Sequence, residues 1–212
     1  MTGVAVTTRN RYSVLDYSLK RIVENSPARI VVIDDNSDQP DFNREICEKH
    51  GAEYTHNKER LGIPHSKAVG FRMLMDCDRQ FWFDDDCFPK VPGWIDAHAL
   101  SMRDIPHLLY LREWAHIKRK GIRGSVQSYT GATACFMSFT KEIYSKVEGF
   151  EKGHGLYGGW HHRLSQRLAV WGDYVSLVNA ADYLHSFDMD GAPSDFNYAF
   201  MSSLPQHERV KK

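Results

Sequence analysis

The chain has 212 residues, 42% of them hydrophobic, which suits a single domain with one well-buried core rather than two. Lys plus Arg and Asp plus Glu each total 27, so the net charge is zero and global charge does not recruit a polyanionic partner. No run of 18 apolar residues and no signal-like N-terminus occurs, so no integral membrane segment is expected and a cytoplasmic location is. Cys47, Cys77, Cys87 and Cys135 are scattered without CxxC spacing, which predicts reduced, buried thiols rather than a disulfide or zinc framework.

The β-branched run Gly3–Thr8 predicts a buried strand. A helix follows, with Ser13 and Asp16 in capping-box spacing, an apolar stripe of Leu15, Leu19, Ile22 and Val23, and a stop at Ser26-Pro27. Ala28–Ile33 predicts a second strand that runs into Asp34-Asp35-Asn36-Ser37. Asp41–His50 predicts a helix closed by Gly51, and Ala52–Thr55 a brief third strand. Pro64–Met75 reads as helical, with Pro64, Ala68, Phe71 and Met75 on one face, and Arg79–Phe83 as a fourth strand that leads into Asp84-Asp85-Asp86. Such alternation predicts an α/β fold with a central, mostly parallel sheet flanked by helices. Ligands bind outside the carboxyl ends of such strands, so Thr7–Asn10, Asp34-Asp35 and the acidic triplet are expected to share one crevice.

The second half is less regular. His107–Arg112 and Gly131–Ser138 are expected as strands on either side of a basic loop, His116–Gly124. Thr140–Val147 is expected as a helix before Gly149. Trp160, Leu164, Leu168 and Trp171 mark another helical face ended by Gly172, Asp173–Val178 is a last strand, and the chain from Asp190 onward is turn-rich.

Three adjacent carboxylates repel one another unless a cation or hydrogen-bond donors offset them. Hard divalent cations such as Mg2+ and Mn2+ take oxygen ligands and share them with substrate phosphates. Asp84 and Asp86 point the same way on an extended backbone and are the expected metal pair.

Phe83-Asp84-Asp85-Asp86 followed by Pro92-Gly93-Trp94 resembles the DXD segment of GT-A glycosyltransferases, above all glycosyltransferase family 2. Val32–Ser37 is similar to that family's second-strand motif, and Thr7–Arg11 to its first. Asn57–Gly70 resembles the segment leading to the donor diphosphate, and Gly149-Phe150-Glu151 the segment before the acceptor loop. The resemblance covers about residues 3–185 in the family's order. It implies a GT-A domain with a nucleotide-sugar half over about 1–90, an acceptor half over about 91–190 and a tail. It further implies transfer from a nucleoside-diphosphate sugar, UDP-linked by preference, to an acceptor hydroxyl with inversion, using Mn2+ or Mg2+.

Residue by residue, the resemblance implies that Asp35 meets the nucleotide base, that Thr7 and Arg9 line the nucleoside, and that Lys67 steadies the diphosphate. Asp84 then stands at the sugar side, Asp86 binds the metal, and His185 supplies a further metal ligand. The chain departs from the family where an acceptor-side carboxylate is expected, because Tyr157-Gly158-Gly159-Trp160-His161-His162 occupies that stretch. His161 or His162 is the expected base, since imidazole titrates near neutrality, with Asp85 as the reserve candidate. Trp94, Trp114 and Trp160 are candidates for a sugar-stacking platform, although burial is the commoner use of such residues.

Other classes fit less well. A dinucleotide-binding dehydrogenase needs GxGxxG after the first strand, and Val6–Arg11 holds no glycine. P-loop and GxSxG patterns are absent. Two alternatives stay open: a non-catalytic nucleotide- or glycan-binding module, and an enzyme that glycosylates a hydroxymethylated DNA base. The second rests on four cations within Lys118–Gly124, which could meet phosphates of modified DNA, whereas a glycan is the favoured acceptor.

Overall fold

The computed structural model describes residues 1–113, 117–156, 159–169 and 171–196. The expected alternation holds through the first half: β1 (Thr2–Thr8), α1 (Tyr12–Asn25), β2 (Arg29–Asp34), α2 (Pro40–His50), β3 (Glu53–His56), α3 (Ile63–Met73) and β4 (Arg79–Asp84). Then come β5 (Cys87–Pro89), α4 (Trp94–Ser101), β6 (His107–Leu109), β7 (Arg119–Arg123), β8 (Val126–Tyr129) and β9 (Phe136–Thr140). A 3-10 turn at Lys141–Ile143 leads to α5 (Tyr144–Val147), α6 (Trp160–Leu168), β10 (Tyr174–Leu177), α7 (Ala180–Tyr183), β11 (Leu184–Ser186) and α8 (Phe187–Asp190).

One nine-stranded sheet, in the order β3-β2-β1-β4-β9-β6-β10-β8-β7, runs through both halves of the chain. Strands β3, β2, β1 and β4 are mutually parallel, and β9 joins β4 antiparallel. Period-two side-chain alternation splits the core into two layers. Val4, Val6, Phe81 and Phe83 face Leu15, Leu19 and Trp94, while Ala5, Trp82 and Ile33 face Phe71, Tyr144 and Trp160. All four cysteines are buried free thiols, as expected. Among the described residues, no helix is long and apolar enough to cross a membrane.

Several local expectations are corrected. Helix α1 starts a residue before Ser13, so Ser13 caps nothing, and Asp16 binds Lys49 and His50 instead. Helix α3 stops at Met73, leaving Met75 exposed. The basic segment is largely strand: Gly124, at φ 58°, seats a two-residue Gly-Ser turn that pairs Arg123 with Val126 and makes β7–β8 a hairpin. The strand expected at Gly131–Ser138 begins only at Phe136, where it meets Phe83 of β4. Thr140–Val147 divides into a 3-10 turn and one α turn. Trp171 lies beyond the end of α6 at Leu168, half-exposed at φ 60° with Arg123 over its ring. Trp114 and His116 fall outside the described residues, as do Tyr157-Gly158 and the chain after Phe196.

Candidate functional site

Strand register brings the polar strand ends together, because Thr7 pairs with Asp84 across β1–β4 and Thr8 with Asp34 across β1–β2. The loops that follow are tied to each other. Asn10, at φ 55°, receives its partners from the next loop: its N–H donates to Ser37 Oγ at 2.8 Å, and its Oδ1 accepts from the Asp38 N–H at 2.7 Å. Asp34 is fully buried and accepts from the Ser37 N–H, Asn43 and the Tyr54 hydroxyl, so it serves the loop rather than a ligand. A cavity of about 250 Å³ opens beyond these ends, lined by Thr7, Thr8, Arg9, Arg11, Asp35, Ile63, Ser66, Asp84, Asp85, Asp86 and Asp188.

Asp35 sits on one wall of this cavity. Its carboxylate accepts from the Leu61 N–H at 2.9 Å, from the Gly62 N–H at 2.9 Å and from Asn57 Nδ2 at 3.2 Å. Gly62 is required there. It stands at φ 88°, and a Cβ would come 2.3 Å from the Leu156 Cα. The loop is also held from behind, where the Ile63 N–H donates to the Leu156 carbonyl at 3.1 Å.

The triplet is offset by side chains of the same chain. Lys67, fully buried on α3, places Nζ 2.8 Å from Asp84 Oδ1 and also donates to the Phe83 carbonyl at 3.3 Å. Arg11 spreads its guanidinium across two neighbours, with Nη1 2.7 Å from Asp85 Oδ1 and Nη2 2.9 Å from Asp86 Oδ2. Thr8 Oγ1 donates to the other Asp85 oxygen at 2.7 Å. Burial pushes the Asp85 carboxyl up to about 7; Arg11 and Thr8 oppose that rise, and Asp86 and Asp84 add to it. Only Asp84 keeps substantial exposure, its side chain being 28% accessible.

Sequence reasoning missed the roles of Arg11 and Asp188. Asp188, exposed on α8, faces the same cavity, and its charge acts on Arg11. The α8 turn is held by Asp190, which takes the Tyr110 hydroxyl, the Ser186 N–H and Arg112. His185 is not brought to the triplet. It does not line the cavity, its ring stacks on Phe88, and its Nε2 pairs with the Gly191 carbonyl at 2.8 Å. Trp94 and Trp160 are packed in the core, which leaves neither as a stacking platform.

His161 and His162 open α6 with ring centroids 4.5 Å apart. Burial holds the His161 imidazole down at about 4, with His162 and Lys67 adding to the effect, so it is neutral near pH 7. Like His185, neither His161 nor His162 is among the residues lining the strand-end cavity.

The oxygen-only triplet suits a hard cation. Among the described residues, no three His, Cys, Asp or Glu side chains form a ready-made cage. Magnesium-type sites normally pair one or two carboxylates with substrate phosphates and water, and Asp84 and Asp86, now paired with Lys67 and Arg11, are the residues that would hold such an ion.

A strand-end cavity on a sheet with a parallel β3-β2-β1-β4 half is the ligand crevice of an open α/β fold, and the solved structures this one resembles are GT-A glycosyltransferases. The chain belongs to glycosyl transferase family 2, whose model matches residues 3–161. It is 23% identical over 214 residues to the uncharacterized glycosyltransferase R363 of Acanthamoeba polyphaga mimivirus, covering 90% of this chain and 83% of that one. Among solved structures it is similar to GalNAc-T7 with UDP, GalNAc and Mn2+, at TM-score 0.64 and 13% identity, covering 84% of this chain and 43% of that one. It is also similar to S. aureus TarS 1-349 in complex with UDP-GlcNAc, at TM-score 0.64 and 12% identity, covering 96% of this chain and 61% of that one. The chain thus spans less than two thirds of either solved chain.

Proposed function

We propose that this glycosyltransferase moves a sugar from a nucleoside-diphosphate donor, UDP-linked by preference, to an acceptor hydroxyl of a glycan, with a divalent cation held by Asp84 and Asp86. The observation that carries this reading is the convergence of Thr7, Arg9, Asp35 and the triplet on one small cavity at the strand ends. Both structural neighbours named above are described with UDP or a UDP-sugar, which supports the choice of donor.

The parts divide as follows. Thr7, Arg9 and Asp35 bound the nucleoside end, and Arg9 has a buried Nε with no partner among the described residues, which leaves a donor for the ligand. Asp84 stands at the sugar side, and Lys67, which holds it, steadies the diphosphate. Mn2+ or Mg2+, when bound, supplies positive charge opposite the departing diphosphate. His161 accepts the proton of the acceptor hydroxyl as the bond to the sugar forms on the face opposite the leaving group. His162 orients it, and the anomeric centre inverts. Asp85 is the poorer base, because Arg11 and Thr8 already take both of its oxygens.

The test is a panel of nucleotide-sugars with Mn2+, read by release of free nucleoside diphosphate. Turnover with a UDP-sugar that stops on chelation supports the reading. Tight binding of every donor without turnover, with or without acceptors, would replace it with a binding module.

A further inference from the structure

The function proposed above leaves Arg11 unexplained. Its guanidinium is not a general neutraliser of the cavity. It reaches two successive residues, one arm to each, at 2.7 Å and 2.9 Å, and three quarters of the side chain is covered. The two arms meet different surroundings. Asp85 is additionally tied to Thr8, so the first arm holds a carboxylate fixed from both sides. Among the described residues, the Asp86 carboxylate is held by the second arm alone, and it is the residue assigned to the cation. Asp188 lines the same cavity, and its charge acts on Arg11.

A guanidinium is a planar fork whose donors lie in fixed directions, so it can keep one carboxylate while the other arm changes partner. A dication that takes Asp86 Oδ2 competes with the cationic arm 2.9 Å from that oxygen, because the two positive charges repel. The arm then gives up that oxygen, and the diphosphate of the donor is an acceptor it can turn to. We infer that the Nη2 arm of Arg11 is a built-in placeholder for the divalent cation: it holds Asp86 in the metal-free protein and gives it up when metal and donor arrive. The inference rests on the metal assignment to Asp86 made above.

Its consequence is a sign that a purely supporting role would not give. If Arg11 competes with the cation, its removal tightens metal binding. If it merely props the carboxylates in place, its removal weakens binding. Mn2+ affinity without donor is measured by electron paramagnetic resonance of free Mn2+ and by calorimetry, for the unaltered protein, Arg11→Met and Arg11→Lys. The expected result is Mn2+ binding at least tenfold tighter in R11M, with a smaller gain in R11K. The melting temperature of R11M should fall in chelator, where Asp85 and Asp86 lose their counter-charge, and rise more steeply with Mn2+ than that of the unaltered protein. Unchanged or weaker Mn2+ binding by a folded R11M, with the unaltered protein binding normally, overturns the placeholder alone. If R11M does not fold, unchanged or weaker binding by R11K overturns it. Absence of Mn2+ binding to the unaltered protein both without donor and with UDP overturns the metal assignment and the placeholder with it.

Discussion

The Lys67–Asp84 pair offers a test in which burial decides the outcome. At 2.8 Å, an effective dielectric of about 20 gives a gross attraction of about 6 kcal/mol, most of which is cancelled by the cost of taking both charges from water. The two partners are not placed alike: the Lys67 side chain is 1% accessible and that of Asp84 is 28%. Asp84→Asn therefore strands an ammonium where water cannot reach it. The expected loss is about 2–4 kcal/mol, somewhat below the usual cost of a broken buried pair because the amide oxygen and the Phe83 carbonyl still accept. Lys67→Met leaves a carboxylate that can hydrate on its open side and still takes the Thr7 hydroxyl at 3.4 Å, at an expected cost of about 1–2 kcal/mol. The double variant should recover part of the sum, with a coupling of about 1–3 kcal/mol. Urea unfolding in chelator, with m-values compared to confirm like-for-like transitions, gives all four stabilities. K67M at least as destabilising as D84N would refute the burial argument.

Other outcomes follow from the same geometry. Asp86→Ala should lower Mn2+-dependent turnover by about two to three orders of magnitude, and unchanged nucleoside diphosphate release would remove Asp86 from the cation site. Gly62→Ala places a Cβ against the Leu156 backbone, so a loss of about 2–4 kcal/mol is expected, together with weaker UDP binding as the Asp35 cradle shifts; calorimetry with UDP checks both. For pH, burial holds His98, His107 and His161 near 4 against an ordinary 6.5, so the unfolded chain binds more protons there and stability falls as the pH drops from 6.5 through 4. Asp85 acts oppositely: raised to about 7, it contributes stability at low pH that is lost as the pH rises through 7. Asp85→Asn should therefore steepen the acid-side fall seen in melting temperatures between pH 4 and 6.5, and an unchanged slope would contradict a raised Asp85.

The first half of the chain was legible because its units are local. Strands β1, β2 and β4 are built on apolar runs, and α1 shows its stripe within a dozen residues. The second half hides its strands for a physical reason. Strands β5, β6 and β11 are three residues long, and β7 is exposed at every position, so neither length nor alternation marks them. The hairpin did leave a signal, Gly124-Ser125, between segments read only for charge. In the site, Asp84–Asp86 announced themselves by composition, whereas the cations that offset them did not. Arg11 and Asp85 are separated by 74 residues, and only the parallel register of β1 with β4 sets them side by side. That register was implied once both strand ends were placed in one crevice, so Arg11, three residues past the end of β1, was a recoverable partner.

The contact between Gly62-Ile63 and Leu156 has a mechanical meaning. One main-chain bond, from the Ile63 amide to the Leu156 carbonyl, joins the loop that cradles Asp35 to the stretch leading into the His161-His162 helix. With no side chain at Gly62 to act as a cushion, backbone bears directly on backbone. A displacement of the backbone at Leu156 therefore bears on the loop that holds Asp35 without slack, like a shaft keyed to its wheel.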